Sequence, residues 1–334
     1  MNRFLLNISY IGTNFRTNIV SGIQKTFNKA DEARVDTKTI QGCIELGLRA
    51  LHPINEIQTV LSSRTDAGVH ALHSTLHVDL QRRNSEPFDP TTITCVLNSL
   101  LHKNGLPIRV LSTQQVPENF HCRYNALGRT YLYRFAVAKG SNRCANPLKN
   151  HNFYAFLPVE EIDRCFFLQN SNFDIERLRS GTRMFLGLHN FRTFMNVSRQ
   201  HSPTRDHPRY TLRVIDEINV KPGKSVAIGA NAEKSESLYH YWDIEFKAKS
   251  FLYKQVRRMV GALLALATGR IDERSIYEML TIPSKNSWDN RVLLSPPYGL
   301  YLCRVHYNEK DLELPKNTNK NELSTAASEQ TLGS

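Results

Sequence analysis

Two periods of apolar residues run through the first third of the chain. Leu72 to Leu80 places Leu76, Val78 and Leu80 alternately with His77 and Asp79, the period of two expected of a half-buried strand. Arg3 to Tyr10, Glu56 to Ser62 and Pro107 to Thr113 also read as strands. Thr39 to Leu51 instead carries Ile40, Cys43, Ile44, Leu48 and Leu51 at helical spacing. Asp89-Pro90 supplies an N-cap and a first-turn proline for a helix to about Leu101, with Ile93, Val96, Leu97 and Leu100 inward.

The second part repeats this mixture. Arg129 to Ala138 predicts a long strand with Tyr131, Tyr133, Phe135 and Val137 on one face. Helices are predicted over Glu160 to Leu168, Asp174 to Leu188, Ser250 to Thr268 and Asp272 to Leu280, the third of them closed by Gly269. Tyr210 to Val220, Tyr239 to Lys247 and Gly299 to His306 read as strands. Asn14 to Asp36 and Lys221 to Ser237 show no period and predict loops. Asn308 to Ser334 lacks aromatics and predicts a disordered tail. Strands interleaved with helices in both halves place the chain in the α+β class, with a weak internal duplication. The expected division is 1–127, 128–307 and the tail 308–334, with a loose seam between Gly128 and Gly140.

Composition narrows the function. Forty per cent apolar residues over 334 positions, including 13 Tyr and 16 Phe, suffice for a sizeable core. Forty-three Lys and Arg against 31 Asp and Glu leave a net charge of +12. That excess suggests a polyanionic partner, nucleic acid before membrane, because no amphipathic basic helix stands out. No charge-free apolar stretch reaches transmembrane length, so no membrane association is expected. Six scattered cysteines without a Cys-x-x-Cys pair indicate neither a zinc knuckle nor a redox pair. With no signal peptide visible, they read as free thiols in a reducing compartment. Strand-like residues begin at Arg3, so a long cleavable transit peptide is not visible either.

The chemistry centres on Ser63-Arg64-Thr65-Asp66-Ala67-Gly68-Val69-His70-Ala71, between two predicted strands. Asp66-Ala67-Gly68 is turn chemistry, and an Arg two residues before a carboxylate suits the display of charge outward. Taken alone, it reads as an ordinary solvated turn. The longer string, Arg64 to Ala71, resembles the signature of tRNA pseudouridine synthases of the bacterial synthase A family. The resemblance implies that Asp66 is the nucleophile of uridine isomerisation. A buried carboxylate keeps its charge only when paired. Arg257, in Gln255-Val256-Arg257-Arg258-Met259-Val260-Gly261, matches the family's helix motif in which an Arg pairs with that Asp. Tyr131, in Gly128-Arg129-Thr130-Tyr131-Leu132-Tyr133, matches the tyrosine that stacks on the base, while Tyr133 and Phe135 read as core. Arg64 matches the residue that helps extrude the target uridine, and Leu300, in Gly299-Leu300-Tyr301-Leu302, is expected to line the uracil pocket.

Phe120-His121-Cys122-Arg123 and Gly187-Leu188-His189-Asn190-Phe191 agree with the family too, with Asn190 a mild departure and Phe191 expected as core or pocket wall. The main departure is Tyr10-Ile11-Gly12-Thr13-Asn14-Phe15, where most members carry Tyr-Asp-Gly-x-x-Phe/Tyr-x-Gly-Trp-Gln. Ile11, Val78 to Arg83 and Ser250 to Met259 look like the family's eukaryotic branch, tRNA pseudouridine synthase-like 1. The resemblance spans about Arg3 to Tyr307. It implies a synthase fold of two similar sub-domains whose antiparallel sheets meet at a basic cleft. It further implies a homodimer acting on tRNA in the anticodon stem-loop, and a mitochondrial location, with cytoplasm or nucleus as alternatives. No metal or organic cofactor is implied. His73 and His77 share a strand face and His70 is placed in the turn, but no nearby Cys or acidic cluster completes a metal shell. The competing readings are a catalytically silent RNA-binding or chaperone protein on the same fold, and a metal-dependent nuclease.

Overall fold

A computed structural model of the chain describes residues 1–16, 36–84, 86–139, 157–168, 172–196 and 207–315. In chain order its elements are β1 (Asn2–Tyr10), α1 (Ile40–Arg49), β2 (Thr59–Leu61), β3 (His70–Leu80), α2 (Pro90–Lys103) and β4 (Ile108–Val116). There follow β5 (Gly128–Ala138), β6 (Phe166–Leu168), α3 (Ile175–Arg183), β7 (Gly187–Asn190), α4 (Pro208–Thr211), β8 (Leu212–Pro222) and α5 (Ala230–Leu238). The chain closes with β9 (Tyr239–Ala248), α6 (Gln255–Ala267), α7 (Glu273–Thr281) and β10 (Leu300–His306). Side-chain oxygens satisfy the first free N–H groups of several helices: Thr39 on α1, Asp89 on α2, Asp174 on α3 and Asp272 on α7. This is the mixed α/β class expected from the interleaved periods.

The strands form one open sheet in the order β4-β1-β3-β10-β5-β9-β8-β7, with β2 added to β3 and β6 to β5. Neighbours are antiparallel except at two places, β10 on β3 and β6 on β5. The first exception matters most. Tyr301 and Leu302 of β10 pair with His70 and Ala71 of β3, joining strands from opposite ends of the chain. The anticipated seam at residues 128–140 coincides with β5, whose neighbours in the sheet are β10 and β9.

Helix α6 is the centre of the second half. All of its residues except Arg258 are buried, as expected of a helix that is apolar almost all round. Close approaches lock it. A methyl group on Gly181 of α3 would come within 2.6 Å of Leu266, and one on Gly261 within 2.2 Å of the Leu293 carbonyl oxygen. The surrounding core includes Phe4, Leu6 and Ile8 of β1, the fully buried Phe185, Phe191 and Phe194, and Ile244 and Phe246 of β9. Phe191 is therefore core.

Several expected elements differ. Glu160 to Leu168 is not a helix: a single 3-10 turn at Val159–Glu161 gives way to β6. Asp163 has φ +57, which breaks any helix, and Phe166 to Leu168 pair with Phe135 to Val137. The anticipated loop Lys221 to Ser237 contains α5, whose polar faces offer no apolar stripe; the buried Ser235 hydroxyl meets the Tyr241 hydroxyl. Helix α3 stops at Arg183, and Gly187, at φ +85, starts β7. Helix α6 starts at Gln255 rather than Ser250 because Lys254 is left-handed, φ +60. The first histidine of the signature lies in β3 and not in the turn. Residues 309–311 form a short turn, so the tail is ordered there, and 316–334 lie outside the described residues, as does most of the expected loop 14–36.

Candidate active site

The stretch between β2 and β3 folds back on itself. The Val69 N–H donates to the Asp66 carbonyl, and Gly68, at φ +81, takes the left-handed conformation its turn requires. The turn is then tied inward. The buried Tyr10 and Thr65 hydroxyls are 2.9 Å apart. His70, with no exposed surface, accepts the Gly12 N–H at Nδ1 (3.0 Å), and its Nε2 lies 2.9 Å from both the Asp163 and the Tyr298 carbonyls. That pattern fits a neutral ring protonated at Nε2, and burial accordingly lowers its pKa. A methyl on Gly12 would sit 1.9 Å from the Val69 carbonyl oxygen, so Tyr10-Ile11-Gly12 lies directly on the signature.

Asp66 meets Arg257 across 191 residues of sequence. Nη1 of Arg257 donates to Oδ2 of Asp66 at 2.8 Å, with the side chains 9% and 15% exposed. The Nε–H of the same guanidinium donates to the Ser295 carbonyl at 2.8 Å. The tight contact of Gly261 with Leu293 holds that carbonyl's segment against α6. The carboxylate is thus paired while the side chain keeps 15% of its surface exposed. Tyr253 and Lys254 flank the pair. Burial raises the Tyr253 phenol, helped by the Asp66 charge. Burial lowers the Lys254 ammonium, opposed by Asp66 and reinforced by Arg257 and Arg258. Arg64 is exposed at the rim of the turn.

Tyr131 lies in β5 opposite Leu302 of β10 and Phe246 of β9. It is 9% exposed, and its ring meets Phe251 edge to face at 5.3 Å. Burial pushes its phenol well up, with Tyr10 and the nearby Asp66 charge adding to the shift. The hydroxyl therefore stays protonated at neutral pH. Tyr133 is fully buried and donates to the Pro296 carbonyl at 3.0 Å, consistent with core. Leu300 is buried opposite it, and Gly299 leaves room for the Tyr133 ring, which a Cβ would meet at 2.7 Å. Of the five site residues taken from the sequence, the structure brings Asp66 and Arg257 into direct contact and sets Tyr131 within reach of the Asp66 charge.

Sequence reasoning passed over one buried cation. Arg129 donates Nε to the Ser63 hydroxyl (2.9 Å), Nη1 to the Lys249 carbonyl (2.7 Å) and Nη2 to the Ser62 carbonyl (3.0 Å). It ties the Asp66 turn to the segment leading into α6. It stands in the quoted motif around Tyr131, on a strand that also carries Tyr133, Arg134 and Phe135, and an arginine at a largely buried strand position was the available signal. Among the histidines, His77 Nδ1 accepts the Cys122 N–H, and no group of three potential metal ligands occurs among the described residues. The five described cysteines are free. No helix of the described residues is long and apolar enough to cross a membrane.

Comparison with known proteins agrees with this geometry. A family model described as tRNA pseudouridine synthase matches residues 8–125 and 182–308, which include Asp66 and Arg257. The chain is 32% identical over 311 residues to tRNA pseudouridine synthase-like 1 of Xenopus laevis, covering 93% of each protein. It is 33% identical over 307 residues to the human protein of that name, covering 91% of this chain and 90% of the relative. To tRNA pseudouridine synthase A of Dinoroseobacter shibae it is 29% identical over 309 residues, 92% of this chain and 98% of the relative. With both Asp66 and Arg257 falling inside the matched segments, the chain belongs to the tRNA pseudouridine synthase family, whose members are isomerases.

Proposed function

We propose that this protein isomerises uridine to pseudouridine in the anticodon stem-loop of tRNA, with Asp66 as nucleophile. The observation that carries the proposal is the nearly buried Asp66–Arg257 pair, which retains some solvent exposure and whose carboxylate lies within electrostatic reach of Tyr131. Asp66 forms a covalent adduct with the nucleoside, and the N1–C1′ bond of uridine breaks. The uracil turns in place, a C5–C1′ bond forms, the bond to Asp66 breaks with its electron pair returning to the carboxylate, the C5 proton is lost and N1 takes one up. No electron leaves or enters, so the chemistry calls for no redox cofactor. Arg257 holds the carboxylate charged, Tyr131 stacks on the uracil as a neutral ring, Leu300 lines the pocket, and Arg64 assists extrusion of the base. In this reading the divide at residues 127 and 128 runs through the site: Arg64 and Asp66 come from one side, Tyr131, Arg257 and Leu300 from the other. A homodimer and a mitochondrial location belong to the same proposal and rest on the resemblance to the relatives.

The test is pseudouridine mapping of tRNA incubated with wild-type protein and with Asp66→Asn. The isostere is expected to make less than about one thousandth of the wild-type product while still binding tRNA. Pseudouridine made at an undiminished rate by Asp66→Asn would refute the assignment of the nucleophile. Absence of product from wild type on every tRNA would favour the silent RNA-binding reading. Size measurement in solution and imaging of the tagged protein test the dimer and the compartment.

A further inference from the structure

Tyr124 is 80% exposed, yet the turn that presents it is rigidly built. The N–H groups of Arg123 and Tyr124 both donate to His121 Nδ1, at 3.2 and 3.3 Å. The His121 N–H donates to Asn125 Oδ1 at 2.9 Å, and Asn125 Nδ2 donates to Asp311 at 3.0 Å. One face of the Tyr124 ring lies on the His121 imidazole, centroids 4.1 Å apart and planes 29° from parallel. The other face looks into solvent. Burial, with Arg3 and Arg123, lowers the His121 pKa, which keeps Nδ1 available to both backbone donors. So much fixing of a ring that buries little surface serves no packing purpose.

The surroundings are cationic. The buried guanidinium of Arg129 reaches not only the Ser62 and Lys249 carbonyls but also, at 3.5 Å, that of Arg123. By gathering these three carbonyls it ties together the main chain at Arg123 and Lys249, whose side chains are both exposed. Arg64, also exposed, follows two residues after Ser62. A flat aromatic plate on a turn whose backbone is tied to segments bearing exposed cations matches the chemistry of unpaired RNA, in which phosphates alternate with bases whose ring faces are open.

We propose that Tyr124 is a stacking plate for an unpaired nucleobase of the bound RNA, outside the pocket for the reacting uridine, with the strand's phosphates met by Arg64, Arg123 and Lys249. The inference rests on the proposed tRNA substrate but concerns binding rather than catalysis. Stacking on an aromatic ring accepts any base, so the plate fixes the path of the strand without selecting its sequence.

The test measures fluorescence anisotropy of a fluorescein-labelled tRNA transcript with the full chain carrying Asp66→Asn, so that turnover plays no part. Adding Tyr124→Ala is expected to raise Kd by roughly five- to twentyfold at unchanged salt dependence. Tyr124→Trp, which keeps a plate, is expected to bind within about twofold of the parent. Arg123→Ala is expected to reduce the slope of log K against log salt by about one. Unchanged binding by Tyr124→Ala, as a protein-docking role for the ring predicts, overturns the proposal, and so does an equal loss in Tyr124→Trp. Pseudouridine formation by the proteins with intact Asp66 separates the two readings. Product from wild type together with normal RNA binding by Tyr124→Ala refutes the plate alone. No product from wild type together with weakened RNA binding by Tyr124→Ala refutes the isomerase reading and upholds the plate.

Discussion

Arg257 divides one guanidinium between two acceptors, the Ser295 carbonyl at Nε and the Asp66 carboxylate at Nη1. A lysine supplies the same charge from a single nitrogen and cannot reproduce that fork. Arg257→Lys is therefore expected to fold and to bind tRNA, but to form pseudouridine about ten- to a hundredfold more slowly, because a carboxylate displaced by an ångström loses its line of attack. Single-turnover assays beside thermal melting check this; full activity in the variant would mean that charge alone suffices. At this scale the sequence was informative where side chains carry the chemistry. Asp66, Arg257 and Tyr131 were picked out by motifs that resemble the family's, and the structure brings the first two into direct contact. The groups that anchor the site include main-chain carbonyls, those of Ser62 and Lys249 on Arg129, of Asp163 and Tyr298 on His70 and of Ser295 on Arg257, and a carbonyl leaves no mark on residue identity.

Among the elements, those with an apolar stripe were readable: α1, α2, α6 and α7 occur where the periodicity put them, to within a few residues. Those without one were not. Helix α5 is polar on every side, and β6 is three residues long and defined by its partner β5. Helix α6 also shows packing overriding propensity. At an exposed helical position Gly→Ala gains about 1 kcal/mol. In Gly261→Ala the new methyl would lie 2.2 Å from the Leu293 carbonyl oxygen, a backbone atom that cannot swing aside. The substitution is expected to destabilise by about 1–3 kcal/mol and to shift Ser295, lowering activity in the fraction that remains folded. Urea unfolding with activity measured at a temperature where both proteins are folded tests the two effects. A gain in stability would show that the 292–295 segment yields freely.

For the molecule as a whole, buried histidines set a pH limit. Burial, reinforced by Arg3 and His121, lowers the His77 pKa from 6.5 to about 4, and burial lowers His70 and His73 as well. Between those two values the unfolded chain takes up a proton that the folded chain refuses. Stability is therefore expected to fall as pH drops from about 6.5 to about 4, and to be insensitive to His77 above that window. His77→Asn, whose Oδ1 can still accept the Cys122 N–H, should flatten the dependence of Tm on pH across this range, with His70 leaving a residual slope. An unchanged profile would remove His77 as a cause. The parallel join of β10 to β3 bears on time as well as on space. His70 and Ala71 leave the ribosome early, but Tyr301 and Leu302 follow roughly 230 residues later, about 10–50 s at usual rates of synthesis. Until then β3 is unpaired on that side at His70 and Ala71, and the Asp66 turn lacks the Tyr298 and Ser295 segments. A nascent chain can therefore carry the whole signature motif and still be inert, and the pocket comes into being only when almost all of the protein has been made.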